Sequence, residues 1–176
     1  MMSQRTSLKR LRQLIIFAML AALMFVSKLL LEFLPNIHLL GVLTMVYTIV
    51  YRKKALIPIY LFVFLLGLYY GFNLWWIPYL YLWTLLWGIT MLLPKRMPEK
   101  IAPIVYMTVC GLHGLAFGSL YAIFQAFVYS FNFKQTLAWI AAGFFPWDVT
   151  HCIGNFIAGI LIYPLSKALL RLEKQY

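Results

Sequence analysis

Arg52-Lys53-Lys54, then residues 55–94 without a charge, then Lys95-Arg96: the reading of this stretch decides the fold. An uncharged apolar run of that length crosses a membrane and returns, turning at Gly71-Phe72-Asn73-Leu74, because basic loops stay cytoplasmic during insertion. The alternation continues in both directions. Arg5, Lys9, Arg10 and Arg12 precede the first apolar run, Lys100 joins Lys95 and Arg96, and Lys167, Arg171 and Lys174 end the last run. Thirteen of the fifteen Lys and Arg residues fall in these four clusters. Glu99 and Glu173 are the only acids on that side, and elsewhere Lys28 and Lys134 cancel Glu32 and Asp148, so the inner side carries the whole +11 charge. The pattern predicts an all-α integral membrane protein: a single six-helix bundle over 1–176, multi-pass, with both termini cytoplasmic.

Composition excludes the other basic class. A soluble nucleic-acid binder is also cationic, but 64% hydrophobic residues with 11% charged ones cannot be kept in water, so no nucleic-acid partner is expected. Lys9, Arg10 and Arg12 before an apolar run containing Ala18, Ala21 and Ala22 resemble a signal peptide. The run continues to Leu34, interrupted only by Lys28 and Glu32, and suits a retained helix. Cys110 and Cys152 fall inside expected spans, where neither a disulfide nor a metal site is expected.

The helices are expected at about 11–34, 38–51, 55–70, 75–93, 101–130 and 146–170. At 1.5 Å per residue the second and third reach only about 21–24 Å, short of a ~30 Å hydrocarbon core. Apolar outer loops make up the difference by folding back as lids, and Pro35-Asn36-Ile37 and Gly71-Phe72-Asn73-Leu74 have that composition. Residues 131–145 are too long for a tight turn and predict a capping piece with a short helix near 135–142. Such loops on one side point to an outward-facing ligand pocket capped by loops, or to plain interfacial connectors.

Three stripes carry candidate site residues. On the fourth helix Trp76, Tyr79, Trp83 and Trp87 share one face, as a ligand-stacking wall or as packing; Trp87 lies about 16 Å along the axis from Trp76. The sixth helix opens with Pro146 at a first helical position, Asp148 in the first turn, and Asp148, His151 and Asn155 on one face. An ionisable group inside a membrane costs a few kcal/mol unless it is used or paired, so this face reads as a polar anchor or an internal network, closing against Asn36 and His38. The fifth helix contributes Tyr121 and Gln125 beside Gly114 and Gly118, which admit a close neighbour, and Gly154 and Ala158 read as further packing positions. Lys28 and Glu32, spaced i, i+4, are expected to pair. His113 is expected to donate to a backbone carbonyl and is given no role.

Absences narrow the chemistry. The sequence has no GxxxxGK[ST] loop, no HExxH, no GxSxG and no pair of deep carboxylates. Six helices without an energy source fit a binding subunit that borrows energy from partners. With Ala18-Met19-Leu20-Ala21-Ala22 giving an AxxxA pattern at Ala18 and Ala22, and with the stretches 35–40, 75–87 and 143–155, nearly the whole chain resembles the S-component, the substrate-binding membrane subunit of energy-coupling factor vitamin importers of Gram-positive bacteria. The resemblance implies location in the bacterial cytoplasmic membrane and capture of a vitamin outside. It implies docking through the Ala18/Ala22 face on a shared transmembrane scaffold, then toppling driven by two cytoplasmic ATPases. The chain itself is then no enzyme and needs no cofactor or metal. Cobalamin is the first expected ligand, with pantothenate, a pyridoxine-like vitamer or a thiamin precursor as alternatives. Two other classes stay open: a membrane scaffold like the rod-shape subunit of wall-synthesis complexes, and a small intramembrane enzyme using Asp148 and His151 as a general-base pair.

The charge clusters make the first prediction. In a background lacking Cys110 and Cys152, cysteine at position 73 should react with a membrane-impermeant thiol reagent on intact cells and cysteine at position 53 should not. Labelling at 53 with none at 73 would sink the topology.

Overall fold

The computed structural model describes residues 2–174; the side chain of Arg5, from the first basic cluster, lies outside the described residues. Among the described residues every regular element is helical and none is a strand, the α-helices being α1 Met2–Leu30, α2 Leu40–Tyr51, α3 Leu56–Tyr70, α4 Ile77–Leu92, α5 Ala102–Val128, α6 Phe133–Gly143, α7 Val149–Ala158 and α8 Ile162–Lys174. Three stretches are long and apolar enough to cross a membrane: Ser7–Leu30, Ala102–Val128 and a window within the helical run Phe133–Lys174. Leu14, Leu23, Leu30, Ile104 and Ile123 on these stretches are all more than half exposed. Apolar surface on this scale is tolerable in lipid and not in water, so this is a membrane protein.

α2 is the axis of the bundle. Residues 40–48 are all buried, and α1, α4, α5, α7 and α8 pack around it. Where water is excluded, polar groups must find partners within the protein. Thr48 and Thr90 therefore donate to carbonyls one turn back, Thr44 and Leu86, at 2.6 and 2.7 Å, and the Tyr47 hydroxyl crosses to the Leu20 carbonyl at 3.0 Å. At 12, 15 and 16 residues, α2, α3 and α4 are about 18–24 Å long.

Several boundaries differ from the sequence reading, each for a local reason. The first helix stops at Leu30 rather than 34, and 31–39 folds back over the bundle through Asn36, whose φ of 58° is one Asn tolerates better than most residues. The expected sixth helix is two pieces, α7 and α8, joined by a tighter turn at Gly159–Leu161. Its start is also shifted: Pro146 lies in a wide turn, Phe144–Asp148, where extended backbone at Phe145 breaks continuity with α6. The capping helix forms as α6, slightly longer than 135–142, with Asn132 and Gln135 bonding each other's backbone N–H groups at its start.

The basic end is tied together by side chains. Arg52 takes a positive φ of 54° to reverse the chain between α2 and α3, and α4 clasps it from both sides. The Trp87 indole donates to the Arg52 carbonyl at 3.1 Å, and the Arg52 guanidinium donates to the Met91 carbonyl at 2.7 Å. Tyr51 donates to Glu173 at 2.9 Å and Lys54 to Gln13 at 3.1 Å, fastening α8 and α1 to the same turn. Lys167 pairs with Glu99, and its ammonium, donating to the carboxylate, holds Glu99 below the usual carboxylate range. The expected Lys28–Glu32 pair is not formed; Glu32 accepts from the Tyr70 hydroxyl at 2.8 Å instead. A surface i, i+4 pair is worth only tenths of a kcal/mol, so a well-placed phenol competes successfully.

Trp87→Phe keeps the ring and removes the donor to Arg52. Leaving that carbonyl unpaired should lower unfolding stability by about 1–3 kcal/mol, measured by denaturant titration in detergent. Wild-type stability in this variant would show that the clasp does not hold the turn.

Candidate functional site

The polar face of α7 is presented to α5, and three glycines decide how closely the helices meet. A Cβ at Gly114 would lie 2.8 Å from the His151 carbonyl oxygen, one at Gly111 3.1 Å from the Phe156 Cβ, and one at Gly118 2.4 Å from an Asp148 carboxylate oxygen. At Gly114 the facing atoms are backbone, so only glycine permits this approach, whereas at Gly118 the obstacle is the end of a side chain; small-residue contact is a main source of helix association where the hydrophobic effect is absent. Gly154 does not join this seam; it faces Ile37 in the folded-back loop, while Ala158 packs on the core.

That seam sets the geometry of Asp148. The sequence places it at a helix start, where a carboxylate ordinarily serves its own helix. Here it makes no cap bond; Oδ1 accepts from the Gly118 N–H at 3.0 Å and Oδ2 has no partner although the residue is 5% exposed. His151 Nε2 and both side-chain polar atoms of Asn155 are likewise buried and unpartnered, at 2% and 1% exposure. His38 Nδ1 and Trp83 Nε1 add two more. Burying one such group without a hydrogen bond costs about 1–3 kcal/mol, and native proteins carry few of them. Thr44, His113 and Ser166 carry single unpartnered atoms elsewhere in the bundle, but those of His38, Asp148 and His151 lie in the lining of adjoining cavities, where polar atoms from outside the chain can reach them.

Aromatic rings form the surrounding wall. The His38 and His151 rings meet edge to face at 4.7 Å between centroids, Phe117 lies 4.9 Å from His151, and Trp83 stands 5.9 Å from both Phe117 and Tyr79. Two cavities open on this cluster and share Asn36, Phe117 and His151 as lining. One, about 160 Å³, extends toward Lys28, His38 and Tyr79. The other, about 290 Å³, extends toward Gly118, Tyr121, Asp148, Trp139 and Trp147. Trp139 of α6 stacks on Tyr121 at 6.2 Å and 9°, so the capping helix roofs the second cavity.

The sequence-derived stripe on α4 is divided among three environments. Tyr79 and Trp83 join the cluster, but Trp76 donates to the Val63 carbonyl at 2.7 Å and packs on Phe72, and Trp87 belongs to the Arg52 turn. Trp76 precedes α4, in the tight turn Leu74–Trp76, and Trp87 lies eleven residues further on, so a stripe that long must leave the pocket at both ends. Gln125 lies one turn beyond Tyr121, lining neither cavity. Asn36, His38, Asp148 and His151 do come together at the cavities, whereas Asn155, one turn deeper on α7, lines neither and sits against Gly41 of α2 and Gly114 of α5. His113 bonds the Leu82 carbonyl at 3.1 Å and stands against Trp83. Phe117, Trp139, Trp147 and Lys28 were not singled out as site residues; Phe117 lies on the face of Gly114 and Tyr121, and that spacing was the available signal. Among the described residues no group of His, Cys, Asp and Glu side chains is arranged to hold a metal ion. Ala18 and Ala22 are exposed on α1, with Ala21 between them buried in the core.

Compared with known protein families, curated proteins and solved structures, the chain matches none.

Two glycine substitutions separate site from scaffold. In Gly118→Ala the new methyl meets the end of a flexible side chain, so Asp148 should swing aside and ligand binding should fall about tenfold or more with thermal stability nearly unchanged. In Gly114→Ala it meets backbone and helix α7 must move, so the melting temperature should fall as well. Equal behaviour of the two variants in paired melting and binding assays would refute this division.

Proposed function

We propose that this protein is the substrate-binding subunit of an energy-coupling factor type importer in a bacterial cytoplasmic membrane. It captures a vitamin or vitamin precursor at the outer face and delivers it inward after docking on a partner scaffold powered by two cytoplasmic ATPases. In this reading the chain crosses the membrane six times with both termini inside, the short α2, α3 and α4 being completed by folded-back outer loops. The observation that carries the proposal is the convergence of unpartnered, buried polar atoms from Asp148, His151 and His38 on two adjoining cavities at the end of the bundle opposite the basic clusters. The exposed Ala18/Ala22 face of α1 supports it by offering a flat strip for a partner helix.

Cavity size bears on the ligand. Pockets for drug-sized molecules run to about 300–1,000 Å³, and the two cavities here are about 160 and 290 Å³. These volumes favour a small ring compound, a pyridoxine-like vitamer or a thiamin precursor, over pantothenate; cobalamin, first among the expectations, requires the 31–39 loop and α6 to move off the bundle. The other two classes fit less well. A structural scaffold of the rod-shape type has no use for a polar, aromatic-walled cavity. A small intramembrane enzyme using Asp148 and His151 as a general-base pair needs Asp148 to orient His151, whereas the bonded carboxylate oxygen is engaged by Gly118 and the imidazole Nε2 has no partner.

Mass spectrometry of small molecules carried through purification in detergent should identify one vitamin-like compound. Trp83→Ala should weaken its binding about tenfold or more, through loss of the ring that backs the lining residues His38, Tyr79 and Phe117 and the cavity left behind it. Ala22→Trp should leave that binding unchanged while abolishing co-purification with the scaffold and ATP-driven uptake. Purified protein that carries no compound and binds neither cobalamin, pantothenate, pyridoxine nor a thiamin precursor in calorimetry would remove the proposal.

A further inference from the structure

At the end of the bundle that carries the basic clusters, the turn after α2, the end of α4 and the start of α5 enclose a recess of about 200 Å³. Its polar lining consists of donors. The Arg52 guanidinium is held in place by its bond to the Met91 carbonyl, and its other N–H groups have no partner among the described residues. The Lys95 ammonium makes no ion pair or hydrogen bond among the described residues, and the Tyr106 hydroxyl makes no hydrogen bond there although Tyr106 is only 7% exposed. Thr90, the remaining polar side chain, donates to the Leu86 carbonyl. No Asp or Glu lines the recess; Glu99 and Glu173, the acids of this end, lie outside it beside Lys167 and Tyr51.

A hydrocarbon site begins one residue away. Leu92, next to the recess-lining Leu93, ends an apolar groove of about 670 Å³ that Leu85, Gly88 and Ile89 of α4 form with Leu120 and Ile123 of α5. A side chain added at Gly88 would meet nothing within 4 Å, so the groove is open there. Its polar side chains are already used, Tyr81 donating to the Leu120 carbonyl and Thr84 to the Leu80 carbonyl. Two cationic donors and a phenol without an opposing acid take an oxyanion, and a lipid headgroup phosphate is the oxyanion that arrives with hydrocarbon attached. We propose that an anionic phospholipid binds at this end, its phosphate held by Arg52, Lys95 and Tyr106 and one acyl chain lying in the groove along α4. Loose basic clusters attract anionic lipid only as a field. Here the clasp from Trp87 and Met91 fixes Arg52, so the same turn that reverses the chain also presents the charge. The site needs only that the chain sits in a membrane, and it is independent of the pocket at the opposite end.

The test titrates the purified full chain, in a neutral detergent, with phosphatidylglycerol and with phosphatidylcholine of the same acyl chains, counting bound lipid by native mass spectrometry. Each Lys or Arg beside anionic lipid contributes about fivefold, so two should make phosphatidylglycerol bind about tenfold or more tightly than phosphatidylcholine. Lys95→Gln, an exposed position, should cut that preference about fivefold. Tyr106→Phe keeps the ring and should weaken phosphatidylglycerol binding about fivefold or more through the lost donor to a charged group. Lys53→Gln, in the same cluster but outside the recess, should leave binding unchanged. Gly88→Leu fills the groove and should weaken both lipids. Equal affinity for the two lipids, no binding of either, or full binding in Lys95→Gln and Tyr106→Phe would overturn the inference. An effect of Lys53→Gln as large as that of Lys95→Gln would reduce the site to a diffuse field, and unchanged binding in Gly88→Leu would remove the acyl chain from the groove; either overturns it as stated. Displacement of phosphatidylglycerol by an equal concentration of glycerol 3-phosphate would make a soluble oxyanion the occupant and overturn it too.

Discussion

The close approach of α5 and α7 is the contact on which the rest of the structure depends. Where lipid replaces water, helices gain nothing from hiding apolar side chains from one another, and association comes from packing and from hydrogen bonds across the seam. Gly111, Gly114 and Gly118 bring the backbones together, and Gly159 continues the contact against the backbone of Met107. That proximity lets the Gly118 N–H reach across to Asp148, which fixes the carboxylate away from its own helix. It also turns Asp148, His151 and Asn155 inward, the only direction in which a lipid-embedded polar face is tolerable.

From that seam the division of labour along the bundle follows. At the basic end every strongly polar group with an assigned bond is used for construction: Trp87 and Arg52 clasp the α2–α3 turn, and Tyr51 with Glu173 and Lys167 with Glu99 hold α8. At the other end His38, Asp148 and His151 leave polar atoms without partners in the lining of the cavities, while Thr44, His113 and Ser166 do so singly elsewhere, and the 31–39 loop and α6 cover the cavity end. The 31–39 loop lies across Gly154, and α6, which buries no residue completely, is attached through its contacts with α5 and the wide turn after it. Few buried contacts mean a low free energy of local opening. A rigid floor under a weakly held roof is the arrangement a binding subunit of the proposed kind requires, since ligand must enter before the polar groups are satisfied.

Energetics explain why such a pocket can exist in a stable fold. Several unsatisfied polar atoms at about 1–3 kcal/mol each are a substantial strain on a protein whose net stability is of the order of ten kcal/mol. The strain is offset by the central helix α2, whose residues 40–48 are buried on every side, and by internal hydroxyl bonds that leave few other polar groups exposed to lipid. Ligand contacts at the polar cluster would then add stability as well as occupancy.

The sequence by itself determined the membrane class, because the apolar runs and their charge spacing are local properties that no tertiary arrangement can change. It determined the capping helix near 135–142, since residues 131–145 are too long for a tight turn, and the shared face of Asp148, His151 and Asn155, since that depends only on helical periodicity. The close seam at Gly114 and Gly118 was legible for the same reason. Tertiary structure alone decided what each group meets. Asp148 bonds a backbone thirty residues away, Glu32 leaves Lys28 for Tyr70, and the α4 stripe of Trp76, Tyr79, Trp83 and Trp87 is shared between α3, the cavity wall and the Arg52 turn. Periodicity assigns a residue to a face; only the packed bundle sets which neighbour that face finds at each depth, because partners distant in sequence are chosen by the competition of all the helices at once.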